Sequence, residues 1–268
     1  MPDILTYEFI QNAILAGLLA SIVCGLIGPF IVSRQMVFIS GGLSHAAFGG
    51  LGIAYFIGVN PLYGATAFVL LSAAGIGLLE EKRGKNDLFI GILWAIGMAI
   101  GIIFIHLTPG YAPDLMTFLF GNILTVPHSD IFIMFILALI MLLSVLIFFK
   151  GFVAVAFDEE YAKARKLPVR YLNIGLLLLT GLAIITLIQV VGIILVIALL
   201  SIPVAIAEEL SVNFKRIMII SILSGILICW AGLFVSYFIE LPSGASIILI
   251  GAIILAMTKI VKRSFLHS

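Results

Sequence analysis

The chain has 268 residues, of which 63% are hydrophobic and 10% charged, with a formal net charge of +1. A soluble domain carries about 25% charged residues, so a water-facing globule is excluded, and the near-neutral balance offers no field for nucleic acid. The mean hydropathy of +1.32 and apolar runs of about 17–25 residues predict an all-α polytopic membrane protein: one transmembrane domain over 1–268, with eight or nine spans.

In chain order the spans are expected at about 9–33, 43–58, 62–79, 88–107, 129–149, 172–189, 191–207, 217–239 and 244–259. The N-terminus, MPDILTYEF, lacks a basic region, and the first apolar run is too long for a cleavable signal. That run is expected to serve as its own targeting signal. Cys24 and Cys229 sit in separate apolar runs and suggest neither a disulfide framework nor a thiolate metal site.

The second span is short and glycine-rich. Residues 36–55 read MVFISGGLSHAAFGGLGIAY. Gly41, Gly42, Gly49 and Gly50 let neighbouring helices approach closely. Ser44 and His45 are the only strongly polar side chains of this span. An ionisable residue inside a membrane marks a pathway by default, and neutral imidazole is a common zinc ligand. The bland alternative is a histidine that bonds a backbone carbonyl and packs. Downstream, 110–127 (GYAPDLMTFLFGNILTVP) is an extra apolar piece expected to lie in, or dip into, one interface. His106 and His128 flank it, with Asp114 and Asp130 nearby, where a metal arriving from outside would meet them. His267 is expected to be solvated in the tail, and Glu208 and Glu209 to cap the inner end of a span. The break between the sixth and seventh spans, around Gln189 and Gly192, is weak, which leaves the count open.

Seven of the 27 charged residues fall in 157–173, FDEEYAKARKLPVRYLN. Asp158 suits a helix N-cap, with Glu159 and Glu160 in the first turn. Lys163, Arg165 and Lys166 suit the last turn, and Pro168 the stop. A helix of about ten residues, roughly 15 Å long, is expected, with Glu159 and Lys163 paired at i, i+4. If this island is cytoplasmic, alternating spans place all 14 basic residues on the cytoplasmic side, as the positive-inside rule requires. The C-terminus is then inside, and nine spans would put the N-terminus outside.

FDEEYAKARKLPV resembles the coupling segment of ATP-binding-cassette importer permeases. SHAAFGG, DLMTFLFGNIL and VVGIILVIALLSIPVAIA, in this order along the chain, resemble segments of the permeases for divalent metal uptake. The likeness runs over about residues 10–260. It implies a permease subunit in the cytoplasmic membrane of a prokaryote, surrounded by lipid. A second copy of the chain, two separate ATPase subunits and an extracellular metal-binding protein are implied with it. The coupling segment, 157–170, would dock on the ATPase through Asp158, Glu159, Glu160, Ala162, Arg165, Leu167 and Pro168. The chain would bind no cofactor of its own. Its cargo would be a divalent ion: zinc, manganese or iron. His45 is the ligand that the resemblance carries over, and Gly41 stands where manganese-type members have Asp. Loss of that oxygen ligand mildly favours zinc.

Two other classes compete. A membrane enzyme is disfavoured because neither HExxH nor GxSxG occurs. An ion-coupled carrier or channel is disfavoured because no Asp or Glu lies within a span away from its ends. No GxxxxGK[ST] phosphate loop is present, so ATP hydrolysis would belong to another polypeptide.

Overall fold

The computed structural model describes residues 6–79, 86–109 and 119–266. The helices are α1 (Glu8–Ser33), α2 (Val37–Phe56), α3 (Pro61–Leu79), α4 (Asn86–Leu107), α5 (His128–Phe157), the short α6 (Glu159–Ala164), α7 (Val169–Leu210), α8 (Phe214–Ile239) and α9 (Ser243–Leu266). A 3-10 turn, Ile123–Thr125, precedes α5. Among the described residues no strand occurs, and eight helices are long and apolar enough to cross a membrane. The second span begins at Val37 rather than 43, because Met36 follows a tight turn that Gln35 makes with φ 58°. Lys82, Arg83, Lys85, His267 and all of 110–118, Asp114 included, lie outside the described residues.

The 42 residues of α7 are too long for one crossing. They turn back at Gly192, whose φ of 76° and ψ of 169° leave the helical region. Leg 169–191 rises beside α3, with Gly77 against Ile174 and Gly181 against Val69. Leg 193–210 descends beside α9: Gly244 abuts Val191 and Leu195, Gly251 abuts Ile202, and Lys262 pairs with Glu209. With the two legs taken separately, the described residues make nine helical runs along the bundle, against eight helices long and apolar enough to cross a membrane. The reversal needs glycine twice. Gly121 has φ 69° and its backbone touches that of Gly192, so a Cβ on either residue would enter the other's main chain. Residues from two segments singled out in the sequence, LFG and VVG, thus meet at one crossing.

The segment after Gly121 is tied down by polar contacts. The Asn122 side chain accepts from the Leu124 N–H at 3.1 Å, the Ile123 N–H donates to Ser243 Oγ at 3.0 Å, and Asn12 donates to the Val126 carbonyl at 3.5 Å. Each bond satisfies a polar group that lipid would leave unpaired.

Eleven of the 14 basic residues are described, the others being Lys82, Arg83 and Lys85. All eleven lie toward the end of the bundle that carries α6. The core runs through α1, the inner face of α2 and both legs of α7. Cys24 and Cys229 are free and buried on the facing helices α1 and α8.

Candidate functional site

Three regions gather the residues singled out in the sequence. The first is the seam between α2 and α4. These helices run side by side in the same direction, and Gly49 and Gly52 face the backbones of Gly97 and Gly101. On another side of α2, Gly50 meets Gly64 of α3. Gly42 lies against Ile90, and Gly41 against Ile197 and Trp94. The glycines thus bring helices into backbone contact, the arrangement that association within lipid favours. Ser44 is buried and donates to the Gly41 carbonyl at 2.8 Å.

Within this seam His45 is 7% exposed, so lipid does not reach most of its ring. It stacks on Trp94 with centroids 4.0 Å apart and planes 12° from parallel. Nδ1 lies 3.4 Å from Met98 Sδ. Gly41 sits one turn below. The Ile197 Cδ1 methyl lies 2.6 Å from where a Cβ at 41 would stand, so isoleucine fills the space of the missing side chain. Sequence reasoning missed Trp94 and Met98. Their only visible signal was their presence, four residues apart, in a mainly aliphatic span.

The second region is the basic end. Asp158 caps α6, its carboxylate accepting the Tyr161 N–H at 2.9 Å, as expected. The helix is shorter than expected, spanning Glu159–Ala164. It stops before Pro168 because Lys166 turns left-handed, with φ 57°. The Leu167 N–H then reaches the Ala162 carbonyl at 3.1 Å, and the Lys166 N–H reaches that of Lys163 at 2.9 Å. This is a Schellman turn in which lysine replaces the usual glycine. Arg165 and Lys166 therefore lie past the helix, and Pro168 starts α7 instead of ending α6. Ala162 is fully buried, while Glu160, Tyr161, Lys163 and Arg165 face outward. The Arg165 Nε donates to the Tyr161 hydroxyl at 3.0 Å.

A polar chain fastens α6 to the bundle. The Arg34 guanidinium, at the end of α1, donates to Asn173 Oδ1. Asn173 Nδ2 donates to Glu159 Oε1 at 2.9 Å. Beside it, the Phe214 ring packs edge-on against Phe30 at 4.9 Å and Phe157 at 5.5 Å. Four long helices (α1, α5, α7 and α8) and α6 thus share one rigid seat. Asn173 is 8% exposed. It was visible in the sequence as the last residue of the charged island, but nothing there pointed to Arg34 as its partner.

The third region is a cavity of about 250 Å³ at the opposite end. Asn60, Asn122, Thr125 and Asp130 supply its polar lining, with Ala47, Leu51 and Ile188 beneath. His106 and His128 are exposed near this end. Among the described residues, no group of three or more His, Cys, Asp or Glu side chains gathers.

The model of the ABC 3 transport family matches residues 6–262. The chain is 44% identical to an uncharacterised membrane protein of Synechocystis over 254 residues, 94% of this chain and 90% of that protein. It is 37% identical to the manganese transport system membrane protein MntC of Listeria monocytogenes over 255 residues, 95% and 91% of the two chains. Among solved structures, PsaBC from Streptococcus pneumoniae in complex with Fab superposes with a TM-score of 0.85 at 34% identity, covering 95% of this chain and 92% of that one.

Proposed function

The chain belongs to the ABC 3 transport family, and from that premise we propose that it is the membrane permease of an ATP-driven importer of a divalent transition metal. The observation that carries this reading is α6. It is a capped helix, buttressed through Asn173, that offers charged side chains outward on a chain with no phosphate loop of its own. Such a rigid knob suits docking on a separate ATPase, so that movement of the ATPase reaches α1 and α7 directly. The basic end is then cytoplasmic and carries the C-terminus, in keeping with the positive-inside rule. The opposite cavity faces an extracellular metal-binding protein. Two copies of the chain would flank a shared pathway.

Within this reading His45 is the ligand met in transit. The names of the relatives favour manganese, as the Listeria protein shows. The donor set favours zinc, because Gly41 supplies no carboxylate. The deciding experiment is uptake of each metal into proteoliposomes holding the chain and its ATPase. ATP-dependent accumulation of zinc or manganese supports the reading. Accumulation that continues without the ATPase would make the chain a secondary carrier or channel.

A further inference from the structure

The α2–α4 seam holds a second donor that the sequence alone did not bring to His45. Two ligands on one tetrahedral zinc, at about 2.0–2.1 Å for nitrogen and, taking the thiolate value as a lower bound for a thioether, about 2.3 Å for sulfur, stand roughly 3.6 Å apart. Nδ1 of His45 and Sδ of Met98 stand 3.4 Å apart, so an ion fits with shifts of a few tenths of an ångström. The Trp94 stack engages the ring's face and does not involve its nitrogens, of which Nδ1 faces Met98 Sδ. It fixes the imidazole without consuming a lone pair, a form of preorganisation usual around metal ligands. The place a carboxylate would take one turn away is filled by Ile197. Met98, Trp94 and Ile197 are all only half-buried. The pair therefore lies in the α2–α4 seam, close beneath the surface.

We propose that Met98 is the second ligand of the transit site, and that the imidazole–thioether pair makes this permease select softer divalent ions over manganese. The inference rests on the metal-permease reading and adds its selectivity. Thioether sulfur suits zinc and other soft or borderline ions, whereas manganese prefers carboxylate and water oxygens. Two ligands per copy grip an ion without enclosing it, as release demands.

The test has two arms, both on the permease–ATPase complex. In proteoliposomes the wild type takes up zinc in preference to manganese. Met98→Leu, which conserves volume, lowers zinc uptake about 10–100-fold, the usual loss on disturbing a metal site, and narrows the zinc-to-manganese ratio. In detergent, zinc-edge X-ray absorption of the wild type shows one sulfur scatterer beside nitrogen, and Met98→Leu loses the sulfur alone. A wild-type spectrum with only nitrogen and oxygen overturns the proposal whether or not the variant folds. It would leave Met98 as a weak acceptor that orients the ring. An unchanged metal ratio in a folded Met98→Leu overturns it equally. In either case uptake by the wild type leaves the permease reading standing. If the wild type accumulates neither metal, that reading falls and this one with it.

Discussion

The α2–α4 seam and the α6 seat both hold a few chemically important side chains, but by opposite means. The seam works by omission: Gly49, Gly52, Gly97 and Gly101 remove side chains so that two backbones touch, and His45 is clamped against Trp94 in the space that remains. The seat works by addition: the Asp158 cap, the Schellman turn and the Arg34–Asn173–Glu159 chain hold a six-residue helix far too short to persist alone. The difference follows from the surrounding medium. Within lipid, helices gain little from burying more hydrocarbon and much from close approach. At the water boundary, backbone ends must be capped, and charge is tolerated.

Variants at the two regions should therefore fail in different ways. The largest effect is expected from reversing charge at Glu159, Glu160 and Arg165 together. Co-purification of the ATPase and all uptake should vanish, while the purified permease melts as before. Retained binding and transport would remove the docking role. His45→Ala comes next, cutting metal uptake by at least about 10-fold with ATPase binding and protein yield little changed. Normal uptake would make it a packing histidine. Gly49→Leu should do what neither of those does and damage fold and transport together. Overpacking against the Gly97 backbone costs roughly 1–3 kcal/mol, read as a lower melting temperature in detergent. An unchanged melt would show that the seam is not close-packed. The smallest effect is expected from Asp158→Ala. Loss of the cap is worth about 1 kcal/mol and should weaken ATPase binding by roughly fivefold without abolishing it.

The two regions also differ in how far the sequence exposes them. The spans, the basic asymmetry and the Asp158 cap are local patterns, and all could be read from neighbouring residues. The stop of α6 could not, since a left-handed lysine looks like any other lysine until its φ is known, and Pro168 drew attention to the wrong position. His45 stood out as the polar residue of its span, but its environment is non-local: Met98 lies 53 positions away. Asn173 and Arg34 are 139 apart. The break inside α7 was marked in the sequence at Gln189 and Gly192, but only weakly. Both legs of α7 are helical and apolar right up to Gly192, so no polar loop announces the turn.

That turn bears on how the protein is made. A reversal carried by one residue, locked against Gly121, leaves no linker between the legs. The leg 169–191 cannot cross the bilayer and wait for its partner, because its last peptide group is already the first of the return. The two are therefore expected to leave the insertion machinery side by side, as one hairpin. For the same reason, the bundle offers no linker between the two legs that a protease could cut or an epitope tag could lengthen.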